Sequence, residues 1–260
     1  MPFPEVDRIK YKKNPLTDVI CQFRFPPVLK IDAVTPAQFQ DVIRGRFPLF
    51  LEKQEVIQHN LGLVPADALQ QLLGKSSIIK NYEFYSADEI SKVNLTRTFI
   101  ALSTHKYSHW GEFFDNFTFV LDPFLGIYNS PFFTRIGLRY VDVFNRSNLN
   151  LTGVEWSELL DSHYLGLLAS DLKERIHNFE NSYEIRLSDD ISIARIIISQ
   201  IIDVNTQEKC IKIDADFSTT QRIPPKDALE KLNYLHLRAT RLIRQFIKPR
   251  LHEALEPEKL

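Results

Sequence analysis

Along this chain, apolar and polar positions follow two rhythms. Residues 16–25 (LTDVICQFRF) are dense in β-branched and aromatic side chains and stop at Pro26-Pro27, which predicts a strand. Thr35-Pro36-Ala37-Gln38 has the form of a capping box with proline at the first helical position. Phe39, Val42, Ile43 and Phe47 then recur at three- and four-residue spacing, predicting a helix that ends before Pro48. Residues 54–59 read as a short strand, and 60–76 as a loop with a helical turn over 67–73. Strands are predicted over 78–85, 90–96 and 99–104. A helix over 110–128 follows, which Pro123 should kink or shorten. The second half repeats the alternation: a strand over 132–144, a helix opening at Thr152, strands over 180–187, 191–202 and 209–217, and a long helix from Pro225 to about Lys248 that Pro249 ends.

Written as elements, the two halves share the order β-α-β(3-4)-α, and particular residues match as well. Phe23-Arg24-Phe25 corresponds to Leu138-Arg139-Tyr140, and Thr35-Pro-Ala-Gln38-Phe39 to Thr152-Gly-Val-Glu155-Trp156. Tyr82-Glu83-Phe84 corresponds to Tyr183-Glu184-Ile185, and Asp88-Glu89-Ile90-Ser91 to Asp189-Asp190-Ile191-Ser192. In the closing helices, Phe114, Phe117 and Val120 correspond to Leu229, Leu232 and Leu235. The expectation is an internally duplicated α+β protein with an N-terminal arm (1–15), two repeats (16–129 and 130–250) and a C-terminal tail (251–260). Each repeat has one apolar sheet face that its helices must cover, so helices lie on one side and an open face on the other. This order resembles the repeat of the TATA-binding-protein fold and the related helix-grip domains. Such a likeness implies architecture and no activity.

Composition narrows the classes. The chain has 260 residues, 44% apolar and 25% charged, in keeping with a folded globular protein. Its 32 basic and 33 acidic side chains cancel, so no global positive field points to nucleic acid. No apolar run approaches the length of a membrane span, and residues 1–14 contain no apolar leader segment, so a cytoplasmic protein is expected. Cys21 and Cys210 sit in apolar runs without CxxC spacing and read as core fillers. No Walker loop, GxGxxG, HExxH or nucleophile elbow is present, and nothing in the pattern asks for a cofactor. His105 and His109 have ligand-like spacing, but they fall at a strand-to-helix junction.

Two groups of side chains remain as candidates. Arg24 and Arg139 each lie between bulky neighbours in a strand, so both point away from the core. Equivalent positions in the two repeats would place them on one sheet face, where they could grip a carboxylate or phosphate. Tyr140 and Trp110 complete this ligand-binding set, because a helix-grip domain holds apolar ligands beneath a helix rich in aromatics. Arg238, Arg241, Arg244 and Lys248 form a stripe on the last helix opposite Leu235, Leu242 and Phe246. Such a stripe serves either as a solvated face or as a nucleic-acid contact, and Glu253, Glu256 and Glu258 nearby weaken the second use.

Three segments carry a further resemblance: Asn14-Pro15-Leu16 with Val19 and Phe23-Arg24-Phe25; Tyr107-Ser-His-Trp110-Gly-Glu-Phe113; and Arg135-Ile-Gly-Leu-Arg139-Tyr140. Together they resemble a sporadically distributed family of conserved hypothetical bacterial proteins of about this length. The middle motif departs from that pattern at Ser108-His109, where a small or charged pair is expected. The resemblance implies a bacterial cytoplasmic protein with no named catalytic residue. The functional expectation is a non-enzymatic protein that binds an anionic or apolar ligand or a partner protein, with a homodimer compatible with it. The alternatives are a nucleic-acid-associated accessory of a defence or toxin–antitoxin module, and an enzyme whose Tyr, His and Asp side chains meet only in the fold.

Overall fold

The computed structural model describes residues 5, 9–56 and 78–259. Nine strands form one antiparallel sheet, and the helices cover one of its faces. In chain order the elements are β1 (Ile9–Tyr11), β2 (Leu16–Arg24), α1 (Leu29–Ala33), α2 (Ala37–Ile43), β3 (Leu49–Val56), β4 (Ile78–Tyr85), β5 (Ser91–Leu95), β6 (Phe99–Thr104) and α3 (Trp110–Tyr128). They continue with β7 (Arg135–Phe144), α4 (Trp156–Leu159), α5 (Ser162–Leu165), β8 (Glu180–Arg186), β9 (Ser192–Ile202), β10 (Lys209–Thr219), α6 (Pro225–Phe246), α7 (Pro249–Ala254) and β11 (Pro257–Lys259). The sheet order is β3-β4-β5-β6-β2-β7-β10-β9-β8, and β1 pairs separately with β11.

Outward from the central β2–β7 pair, the two halves place their strands in matching sequence. The turns before β5 and β9 match in detail. Glu89 and Asp190 both adopt positive φ, near 59° and 57°, and Asp88 and Asp189 each accept a backbone N–H within the turn. Both halves share one sheet and one continuous apolar core.

The core forms because period-two alternation places Val19, Cys21 and Phe23 of β2, Leu138 and Tyr140 of β7, and Ile213, Ala215 and Phe217 of β10 on the helix side. Phe23 meets Phe117 of α3 and Phe133 edge-on at 4.7 and 4.8 Å, and Phe25 lies against Phe124. Cys21 and Cys210 are both buried free thiols.

The opposite face carries ionic rows. Arg139 grips Asp214 with two hydrogen bonds of 2.7 and 2.5 Å, and Arg135 does the same to Asp216 at 2.7 and 2.6 Å. Arg135 reaches across Gly137, where a Cβ would stand only 2.1 Å from its Nη1, so a larger residue there would push the guanidinium off this path to Asp216. Glu83, 2% exposed, accepts from Lys53, Lys92, Asn94 and Tyr85. Burial alone would raise its pKa, but these donors outweigh burial and hold it at about 2, against an ordinary 4.5. The ionised group therefore stabilises the fold above pH 4.5, and that stabilisation disappears as pH falls through about 2. Glu83→Gln should cost about 2–3 kcal/mol near neutral pH, with the cost shrinking in acid, as read by urea unfolding at the two conditions.

Several expected elements differ. The helix at 36–47 is confined to Ala37–Ile43, and Thr35 makes no side-chain cap; its carbonyl instead accepts the Ala37 N–H at 2.8 Å, leaving Pro36 as the N-cap. The helix at 110–128 runs unbroken through Pro123, because Phe117, Val120, Leu121 and Phe124 anchor it on both sides of that residue. The helix expected from Thr152 is instead two single turns, α4 and α5, followed by two short 3₁₀ turns. Gly153 and Gly166, with φ of +79° and +53°, break the path at both ends. The last helix ends at Phe246 rather than Lys248, and Pro249 begins α7 instead of a tail. The arm and tail contain β1 and β11, which pair with each other. The strand expected at 54–59 begins at Leu49, and its last three positions, like the loop at 60–76 with its helical turn, lie outside the described residues.

Candidate functional site

The helix-facing side of β7 and β10 is not filled completely. A cavity of about 200 Å³ lies between these strands and α6, and residues 9–11 and 14–16 and the segment leading into α3 close it. Ile213, Ala215 and Phe217 rise from the sheet; Ala239, Leu242 and Ile243 come down from α6; Tyr107, Trp110 and Tyr140 supply aromatic wall. Asn14, Pro15 and Leu16, Tyr107 and Trp110, and Tyr140 also reach it.

Polar groups converge on this space. Tyr140 Oη and His236 Nδ1 are 2.8 Å apart, and the His236 ring stacks on Trp110 with centroids 4.0 Å apart and planes 4° from parallel. Trp110 Nε1 donates to Asn233 Oδ1 at 2.7 Å, which fixes the indole against α6. Burial raises the pKa of Tyr107 and pushes that of Tyr140 well up, so both hydroxyls remain protonated at neutral pH. At the outer end, Arg244 Nη1 donates to Tyr11 Oη at 3.0 Å, and Tyr11 Oη lies 2.9 Å from His252 Nδ1, which Arg244 also contacts. Burial first, then the Arg244 charge, lowers the His252 pKa.

Asp142 differs from all of these. It follows Leu138 and Tyr140 at period two, so its side chain points to the helix side, and it is 6% exposed. No hydrogen bond or ion pair to another described residue satisfies its carboxylate. Desolvation raises its pKa from 3.8 to about 7.

The structure separates the residues singled out from sequence. Arg24 and Arg139 do share the open sheet face, but Arg139 pairs across the strands with Ile20, four residues from Arg24. At about 3.3 Å per residue that separates them by roughly 13 Å. Arg139 is committed to Asp214, and Arg24 donates to Gln22 Oε1 at 2.8 Å, so the two do not form a joint grip. Trp110 and Tyr140 lie on the other face, in the cavity, joined through His236.

The basic stripe is likewise not a solvated row. Arg238 lies over the Tyr234 ring at 4.6 Å, Arg241 is 15% exposed and pairs with Glu5, Arg244 binds Tyr11, and Lys248, beyond the helix, donates to the Ser157 carbonyl at 2.7 Å. The N-terminal residues and the α4 region occupy the face that the pattern left open. His105 pairs with Asp18 at 2.8 Å, while His109 caps α3 by accepting from the Glu112 N–H; among the described residues no three His, Cys, Asp or Glu side chains gather as metal ligands.

Sequence reasoning passed over Asp142, His236 and Tyr11. The first two left a legible signal. Asp142 occupies the apolar phase of its strand, and His236 falls among Leu232, Leu235, Ala239 and Leu242 on the buried side of its helix. A search of protein-family models finds none that matches this chain, and no curated protein matches it.

Proposed function

We propose that this is a binding protein that holds a small, largely apolar molecule in the cavity between the sheet and α6. The carrying observation is the cavity itself: walls of Tyr107, Trp110, Phe217 and Leu242 around one largely buried carboxylate whose pKa shift comes from desolvation alone. Ligand sites combine apolar walls with a few orienting polar groups in this way. An apolar cavity of about 150 Å³ takes benzene, so this one suits a ring with a short substituent. The resemblance to bacterial proteins of accessory type fits a small-molecule sensor or carrier in the cytoplasm. No membrane-crossing helix is long and apolar enough among the described residues. The nucleic-acid alternative draws less support, because the stripe from Arg238 to Lys248 contacts the protein's own groups.

The test uses a neutral aromatic probe, 2-phenylethanol, followed by saturation-transfer NMR. Saturable binding is expected, and Ala239→Phe, which fills the cavity from α6, should abolish it while the thermal midpoint shows the variant folded. Absence of saturable binding to the folded wild-type protein would remove the reading.

One observation supports a second reading as an enzyme. A carboxylate titrating near 7 in the same cavity as Tyr140 and His236 has the properties of a general base. Turnover of a bound compound, lost in Asp142→Asn, would establish it.

A further inference from the structure

We infer that the molecule held in the cavity carries a protonated amine, seated on the Asp142 carboxylate and against the rings of Tyr107, Trp110 and Tyr140. This rests on the cavity reading above and adds the chemical class of the occupant.

The reasoning starts from what could satisfy Asp142. Its cross-strand neighbours are Leu16 on β2 and Ile213 on β10, neither of which carries a side-chain donor. Most polar groups that share the cavity already have partners: Tyr140 with His236 and Tyr107, Tyr11 with Arg244 and His252, and the Asn14 amide with the Tyr107 carbonyl; Lys10 is exposed and does not offset the desolvation of Asp142. A buried carboxylate without a donor is costly; below about pH 7 protonation relieves that cost, and above it a cation or hydrogen-bond donor arriving from outside does so.

The surroundings then select among cations. A metal ion needs several oxygen or nitrogen ligands, and the described residues offer Asp142 no companions for that purpose. The walls instead present the rings of Tyr11, Tyr107, Trp110, Tyr140 and Phe217 and aliphatic side chains. Aromatic faces attract organic ammonium groups, most strongly when water is excluded, and the aliphatic surface accepts the hydrocarbon body. An anion is disfavoured, since it would meet the Asp142 charge; of the two cations that line the cavity, Arg244 is bound to Tyr11, and Lys10 is exposed and does not offset the desolvation of Asp142.

The experiment compares two probes of equal size, 2-phenylethylamine and 2-phenylethanol, by calorimetry with the full-length protein at about pH 8. The amine should bind about tenfold more tightly. Asp142→Asn should erase that preference while 2-phenylethanol binding persists, which also shows that the variant retains its cavity. Equal affinities in the wild-type protein would overturn the ammonium assignment and leave the cavity reading standing. A preference that survives in Asp142→Asn would overturn Asp142 as the seat of the charge. Binding of neither probe would overturn both readings.

Discussion

Asp142→Asn is expected to stabilise the protein, by about 2–3 kcal/mol at pH 8, although it removes the most distinctive polar group in the cavity. The sign follows from where the proton sits. Desolvation raises the folded-state pKa to about 7, against 3.8 for an unhindered aspartate. Below about pH 4 both folded and unfolded chains hold the proton, and the carboxyl imposes little penalty. Between about 4 and 7 the folded protein retains a proton that the unfolded chain releases, so stability falls as pH rises; above 7 the full penalty applies. The groups that face Asp142 do not reverse this. Tyr140 on its own strand and Tyr11 on β1 are neutral and titrate higher still, and Arg244 of α6 is bound to Tyr11. An amide in place of the carboxylate cannot ionise, so its gain is largest in alkali and vanishes in acid. Thermal midpoints of both proteins from about pH 4 to 9 should converge at the acid end and separate through neutrality. Parallel curves would show that Asp142 already has a partner.

The largest loss is expected at Phe23→Ala, about 3–5 kcal/mol from lost burial and the void left behind. Phe23 is fully buried and joins three parts of the fold: the central strand β2, helix α3 through Phe117, and the segment entering β7 through Phe133. Those partners are themselves fully buried and fixed by β7 and α3, so the site has little freedom to collapse around a missing ring. Domain stabilities lie at about 5–15 kcal/mol, so this one change removes a large share. The urea midpoint should fall steeply, whereas Phe50→Ala on the edge strand β3, where the ring is 43% exposed, should move it far less.

These two residues also mark the limits of what the pattern of the chain reveals. Phe23 was legible because strand alternation is local. Val19, Cys21 and Phe23 take the apolar phase of one continuous run, and the same rule placed β4 to β6 and β8 to β10 within a residue or two. Asp142 obeys that rule too, yet its meaning depends on β10, α6 and residues 9–16 meeting around it, contacts between positions more than two hundred residues apart in the chain. β1 and β11 escaped notice because three-residue strands, Ile-Lys-Tyr and Pro-Glu-Lys, carry no alternation to read. The arginines of α6 were read correctly as one stripe, but a stripe alone does not show that Glu5 and Tyr11 already occupy it. Where Thr152 was expected to open a helix, two glycines with positive φ dictated single turns instead.

The pairing of β1 with β11 closes one side of the cavity with a ladder separate from the main sheet. Three residue pairs hold it, the two flanking lysines extend it by one backbone bond each, and every residue of β11 is exposed. Opening so short a ladder disturbs none of the nine strands of the main sheet, although Tyr11 must also leave Arg244 and His252. Local opening at this end of the cavity is thereby set by that ladder and the Tyr11 contacts, not by the stability of the main sheet.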